Sequence, residues 1–238
     1  MIGEKVNIDT IIHSNTFHHF FQPLYHLSNW SLYGNEALFR TNSGENPETV
    51  FFTALKRKKL YELDMASISK AISFYSKFNP NNFLFVNVFP STLENPFFMR
   101  FIYNIINKYG GSNKNIVFEI VESQEIKDIK SLSTIISFLQ QNGFRVALDD
   151  IGKGSMSFQK LIELSPDFIK LDRYFSMDLS ISNKKQKLIQ LFVNYCESNV
   201  ELILEGIEKE TDLAVAKCLG VSIGQGYLLG MPNKMPVS

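Results

Sequence analysis

Short apolar runs alternate with stretches of helical period along most of this chain. Phe20-Phe21-Gln22-Pro23-Leu24-Tyr25 and Leu32-Tyr33-Gly34-Asn35-Glu36-Ala37-Leu38 read as two strands joined by a Ser28-Asn29-Trp30 turn. Asn46-Pro47-Glu48 then offers an N-cap, a proline at the first helical position and an acid in the first turn, and the pattern stays helical to about Phe78 as two successive helices. Beyond it strands are predicted over 83–89, 116–121, 144–150, 168–171 and 202–207. Between them lie a helix capped at Asn95-Pro96 and stopped by Gly110-Gly111, one with Leu132, Ile135, Ile136 and Leu139 on a single face, and a short one over 158–164 before a Ser165-Pro166 break. A longer helix carries the stripe Leu188, Leu191, Phe192, Tyr195 and Cys196. A last helix over 212–219 ends at Gly220 and delivers the chain to Val221-Ser222-Ile223-Gly224-Gln225-Gly226-Tyr227.

Repeated β-α units with near-continuous apolar strands predict a mainly parallel sheet covered by helices. The number of strands fits an α/β barrel better than an open sheet, and 238 residues is close to the ~250 of such a barrel. No linker, low-complexity stretch or internal repeat divides the chain, so one domain over residues 1–238 is expected, with any closing helix after Tyr227 abbreviated or absent.

Composition refines this picture in three places. A hydrophobic share of 45% with 20% charged residues supports a sizeable core, and 21 phenylalanines point to one filled by large rings. A formal net charge of +0 provides no global field for polymeric nucleic acid or anionic lipid, so an anionic ligand must be met by local charge or by metal. No leader pattern and no apolar run near the ~18 residues of a membrane span is present, which makes a cytoplasmic location without membrane contact the expectation. Cys196 and Cys218 read as buried thiols rather than a disulfide or zinc site, and His13, His18, His19 and His26 lack metal-ligand spacing.

The chemistry is carried by polar residues that interrupt the apolar strands: Glu36, Asn87, Glu119, Lys170 and Glu205. Singly, each has an ordinary explanation as an ion-paired strand end, a backbone-bonding amide or a snorkelling lysine. Their recurrence at successive strand ends argues otherwise, because the carboxyl ends of all strands in a parallel barrel open on one face. The strand 144–150 adds two adjacent carboxylates, Asp149 and Asp150, before Gly152-Lys153-Gly154. Successive side chains of a strand point to opposite faces, so this pair converges only where the strand unravels, and once converged it holds a proton or a cation. Carboxylates plus an amide oxygen form a hard-ligand set suited to Mg²⁺ or Mn²⁺, and a pair of such ions is the usual apparatus for in-line attack on a phosphodiester. Lys170 at a strand end also admits a Schiff-base aldolase, a reading with no use for the acids.

These residues lie in motifs that resemble those of the EAL-domain cyclic-di-GMP phosphodiesterases over essentially the whole chain. Glu36-Ala37-Leu38-Phe39-Arg40 resembles E-A-L-L-R, and Phe21-Gln22-Pro23 is similar to the Y-Q-P strand before it. Phe118-Glu119-Ile120-Val121-Glu122 resembles L-E-I-T-E, and Asp149-Asp150-Ile151-Gly152-Lys153-Gly154 resembles D-D-F-G-T-G. Lys170-Leu171-Asp172-Arg173, Glu205-Gly206-Ile207-Glu208 and Gln225-Gly226-Tyr227 are similar to K-I-D-R, E-G-V-E and Q-G-Y.

The resemblance implies a modified TIM (β/α)8-like barrel with an antiparallel first strand, and metal-dependent hydrolysis of cyclic di-GMP to linear pGpG in bacterial second-messenger signalling. By position, Glu36, Asn87, Glu119 and Asp149 would hold one metal ion and Asp149 with Asp150 the second. Glu205 would bind the metal-linked water or help deprotonate it, and Lys170 would position that water. Arg40 and Leu38 would contact substrate, Gln22 and Gln225 the nucleotide, and Glu122 would brace the loop after the Asp pair. Mg²⁺ or Mn²⁺ would support turnover, Ca²⁺ would inhibit it as a larger and less strictly octahedral ion, and a homodimer is a possible assembly. Where the family has D-F-G-T-G-Y-S-S, this chain has Asp150-Ile151-Gly152-Lys153-Gly154-Ser155-Met156-Ser157, and Val121 stands for the usual Thr. Those departures motivate a second reading, a weakly active or inactive receptor or regulator that binds the dinucleotide.

Overall fold

The computed structural model describes residues 7–78, 81–109, 115–121, 124, 126, 128–152, 157–196 and 199–236. Eight strands close into a barrel in chain order: β1 Phe17–His26, β2 Leu32–Thr41, β3 Phe83–Val88, β4 Ile116–Ile120, β5 Arg145–Ile151, β6 Phe168–Leu171, β7 Glu201–Leu204 and β8 Ile223–Gly224. β1 runs antiparallel to both of its neighbours, β2 and β8, and every other pair is parallel. The expected barrel with a reversed first strand is thus the observed one.

The opening hairpin is longer than its apolar core indicates. β1 and β2 pair from Phe17↔Thr41 to Tyr25↔Leu32, whereas β2 meets β3 only over Gly34–Ala37. The hairpin therefore stands above the barrel rim, and the edge of β2 beyond Ala37 is left to form one wall of a cleft. Gly34 sits where the two strands come closest, since a Cβ there would lie 2.5 Å from the Phe83 carbonyl oxygen.

Helices α1 Ile8–His13, α2 Pro47–Lys56, α3 Leu60–Tyr75, α4 Pro90–Leu93, α5 Phe98–Tyr109, α6 Ile129–Gln141, α7 Phe158–Leu164, α8 Arg173–Ser176, α9 Asn183–Tyr195 and α10 Glu210–Cys218 cover the outside. Asn46 caps α2 as its sequence predicts, its side chain accepting from Glu48 N, while α5 starts two residues beyond Pro96 because Asn95 accepts from Phe97 N. The predicted stop at Gly110-Gly111 lies outside the described residues.

Two expectations are corrected. In α9 the buried face is Ile189 and Phe192, while Leu191 and Tyr195 are exposed. Two apolar phases overlap in Leu188-Ile189-Gln190-Leu191-Phe192-Val193, and periodicity alone does not choose between them. Cys218, at the end of α10, is exposed and Cys196 is half-buried, both as free thiols. Among the described residues no helix is long and apolar enough to cross a membrane.

Phenylalanine fills the barrel as its abundance predicts. Phe85 and Phe168 meet edge to face at 5.4 Å inside it, with Tyr33 stacked on Phe83 at 5.0 Å below. Together with Leu24, Val117, Ala147, Ile203 and Ile223 they form a closed apolar plug.

Candidate active site

Period-2 alternation keeps residues i and i+2 of a strand on one face, so the residues two positions further along each parallel strand also point into the barrel. That single step replaces Phe85 by Asn87, Val117 by Glu119, Ala147 by Asp149, Phe168 by Lys170, Ile203 by Glu205 and Ile223 by Gln225. In β1, which runs the other way, the step from Leu24 leads back to Gln22, and its partner across the hairpin is Glu36. The mouth of the barrel is therefore a polar layer laid directly on the aromatic plug.

Asp149 and Asp150 converge through a bulge. β5 and β6 pair at Leu148↔Ile169 and again at Ile151↔Leu171, so both aspartates oppose the one residue Lys170. Asp150 takes the left-handed conformation, φ 54°, a region that Asp tolerates better than most side chains. This is the unravelled strand end that the pair requires.

The Lys170 ammonium, fully buried, is the hub. It lies 2.6 Å from Glu119 Oε1, 2.7 Å from Glu205 Oε1, 3.2 Å from Asp149 Oδ1 and 3.4 Å from Glu36 Oε2. Glu36 is the best supported of the acids, because Asn87 Nδ2 donates to its Oε1 at 3.1 Å and Gln225 Nε2 to its Oε2 at 2.9 Å. Burial opposes its charge, but Lys170 and these two amides bring the carboxyl below its ordinary range. The other acids fare differently. Burial, with Glu36 adding to it, lifts the Glu119 carboxyl well above the carboxylate range despite Lys170. Burial likewise raises Asp149 and pushes Glu205 to about 8 against the pull of the same ammonium. Burial would strip Lys170 of its proton, yet Asp149, Glu119, Glu205 and Glu36 together hold it well above the usual amine range. A Schiff-base lysine needs a free amine, and a buried ammonium within 3.4 Å of four carboxylates gives the aldolase reading no support.

Four carboxylates thus share one ammonium, and their distribution fits a hard cation. Glu119 Oε2 is buried without a hydrogen bond, and Glu119 Oε1 and Asp149 Oδ1 are met only by the Lys170 ammonium they share, at 2.6 and 3.2 Å. Asp149, Asp150 and Glu205 can each bring an oxygen within 4.8 Å of the others, so Glu205 groups with the Asp pair rather than standing apart from it. All of these donors are oxygen, the set preferred by Mg²⁺ and Mn²⁺.

The acid layer opens into a cavity of about 850 Å³ bounded by β2, α2, α3 and the end of β3. Leu38 and Arg40 line it beside Glu36, Asn87, Asp149 and Asp150. The Arg40 guanidinium donates to Phe39 O at 2.7 Å and lies over the Phe20 ring, while Gln22 donates to Gly230 O at 3.2 Å. Glu122 and Lys153 to Met156 lie outside the described residues. His19, Phe51, Asp64, Ser67 and Gln124 also line the cavity and were not singled out from sequence. A signal existed for Asp64, an acid within the apolar stripe of α3; the others look like ordinary strand, helix and loop residues.

A closed barrel with a reversed first strand, and the Lys170 ammonium set among acids at the carboxyl ends of its strands, defines a barrel protein built around an oxygen-donor site. The chain belongs to the EAL domain family, whose profile matches residues 6–232. It is 28% identical over 225 residues to the cyclic di-GMP phosphodiesterase RocR of Pseudomonas aeruginosa, covering 91% of this chain and 57% of that protein. The fold is shared with Klebsiella pneumoniae BlrP1 in a manganese/cy-diGMP complex, at TM-score 0.83 and 23% identity over 92% of this chain and 56% of that one. It is shared also with a standalone EAL protein from Vibrio cholerae O395 in its c-di-GMP-bound form, at TM-score 0.82 and 23% identity over 93% and 94% of the two chains. The chain spans between 21% and 57% of the length of curated relatives it matches.

Proposed function

We propose that this chain, as one EAL-type domain, hydrolyses one phosphodiester of cyclic di-GMP to linear pGpG with Mg²⁺ or Mn²⁺, in the cytoplasm. The observation that carries the reading is the surplus of buried carboxylates around Lys170, of which Glu36 and Asp149 line a cavity of about 850 Å³. Family membership and the cyclic di-GMP held by the related BlrP1 and Vibrio cholerae proteins support the substrate class.

Divalent cations, when bound, supply the positive charge that phosphoryl transfer demands. Glu36, Asn87, Glu119 and Asp149 would hold one, and Asp149 with Asp150 the other, with Glu205 close enough to share the second. Glu205, grouped with the Asp pair, is placed to accept a proton from the attacking water once cation charge beside it favours its ionised form. Lys170 keeps its proton and fixes the acids in one arrangement, and would position that water where bound cations draw acids away from its ammonium. Arg40 and Leu38 border the cavity where substrate would lie, and Gln22 and Gln225 flank Glu36 as nucleotide contacts. A homodimer would be the assembled form.

The test is incubation of the purified protein with cyclic di-GMP and Mn²⁺ or Mg²⁺, following pGpG by chromatography, with dinucleotide binding measured in Ca²⁺ alongside. Metal-dependent pGpG formation that Ca²⁺ suppresses is the expected result. Binding without product in any metal favours the receptor reading, which the replaced residues after Asp150 motivate. Neither binding nor product would contradict both.

A further inference from the structure

We propose that Asp64 is a positioning residue of the barrel-mouth site, holding from α3 the turn that presents Asn87; this rests on the metal-site reading above. α3 buries Leu60, Leu63, Met65, Ile68, Ala71 and Ile72, and Asp64 lies in the same stripe with 1% of its surface exposed. A carboxylate so placed is costly unless a donor meets it. The donor is the Phe89 backbone N–H, 3.0 Å from Asp64 Oδ2.

Phe89 lies two residues beyond Asn87, where β3 has ended and α4 begins. Within the turn Thr92 N and Leu93 N donate to Phe89 O at 2.9 and 3.2 Å, which leaves the Phe89 N–H to be met from elsewhere. Phe89 is the N-cap of α4 without a side-chain cap bond, and Pro90 after it has no N–H. Support comes from outside: Asp64 bonds Phe89 N, Gln124 Oε1 accepts from Ser91 N at 2.9 Å, and the Phe51 ring packs on Phe89 at 5.4 Å. The β3–β4 ladder stops at Val88↔Ile120, where Val121 N donates to Val88 O at 3.2 Å, and the Asp64 bond holds the other side of the same Val88–Phe89 peptide. It fixes the strand end from which Asn87 reaches Glu36. Partners that orient a ligand in this way typically change metal affinity by about 10- to 100-fold when removed.

The experiment is a calorimetric titration of Mn²⁺ alone into metal-free wild type, Asp64→Ala, Asp64→Asn, Gln124→Ala and Asp167→Ala, with Tm recorded for each. Asp167 is a control of the same kind at the other end of the barrel, accepting from Val146 N at 2.9 Å. Asp64→Ala is expected to weaken Mn²⁺ by about 10-fold or more, and Asp64→Asn, which keeps an acceptor oxygen, to stay within about 3-fold of wild type. Gln124→Ala, which leaves the core intact should Asp64→Ala not fold, is expected to give a smaller loss of the same sign. Asp167→Ala is expected to lower Tm without changing Mn²⁺ affinity. Unchanged Mn²⁺ affinity in both Asp64→Ala and Gln124→Ala, with only Tm reduced, would overturn the positioning role while leaving the proposed function standing. Absence of Mn²⁺ binding in wild type would overturn the metal site and this role together.

Discussion

The two layers inside the barrel are built on the same eight strands, one step of side-chain alternation apart, and they have opposite physical characters. The lower layer, Tyr33, Phe85, Val117, Ala147, Phe168, Ile203 and their neighbours, is apolar and closely packed. The upper layer crowds Glu36, Glu119, Asp149 and Glu205 around Lys170, with three of the four acids pushed up in pKa. Burying unlike groups at equal depth teaches where stability and chemistry reside. The plug makes the barrel rigid, and the layer above it is held in a strained ionic arrangement that only a rigid base can maintain.

That division can be broken in three ways. The largest effect is expected from Glu36→Ala, which removes the acid that both amides brace; turnover should fall at least ~10²-fold, the scale of losing one electrostatic contact in a reaction site. Undiminished pGpG formation by metal-reconstituted mutant protein would contradict the site. Next is Phe168→Ala in the plug, expected to cost about 3–5 kcal/mol in urea unfolding while Mn²⁺ affinity is retained. A matching loss of affinity would show that the layers are not separable.

The smallest effect is a pH slope. Asp64 is lifted by burial to about 7 in the folded protein, against 3.8 ordinarily, so its contribution favours the fold at low pH and is lost as pH rises from about 4 through 7. His19 acts in the opposite sense. Burial holds its imidazole at about 3, against 6.5, so its contribution is complete above 6.5 and is lost as pH falls toward 3. From pH 5.5 to pH 8 the urea midpoint should therefore shift in the destabilising direction more in wild type than in Asp64→Asn, the His19 contribution being common to both. An unaltered difference would mean that Asp64 does not titrate in this range.

Much of this was legible in the sequence because the site is written in violations of a simple pattern. Charged and amide residues at the ends of apolar strands can be read directly, and they are the ones the barrel brings together. The bulge was half legible: adjacent aspartates demand a break in alternation, but the two-against-one pairing opposite Lys170 depends on the register with β6. The cavity wall was not legible. His19 and Ser67 acquire their places from how the hairpin and α3 face one another, and Gln124 from its bond to Ser91 beyond β3, long-range arrangements that local pattern does not encode. Nor was the phase of α9, where neighbouring apolar residues offered two equivalent faces.

Melting of wild type and Glu119→Gln, each with and without saturating Mn²⁺, tests most directly that the upper layer is arranged for cations. Glu119 is fully buried, and burial lifts its carboxyl far above its ordinary range, so its contribution favours the fold at low pH and becomes a cost as pH rises past the carboxylate range. Gln removes that cost. At pH 8 the metal-free variant should melt higher than wild type, since Gln brings no charge into the interior and Lys170 keeps Glu36, Asp149 and Glu205 as partners. With Mn²⁺ the order should reverse, because wild type alone retains the full ligand set and gains the binding energy. A variant that melts lower than wild type in both conditions, or an equal Mn²⁺ shift in the two proteins, would contradict the account.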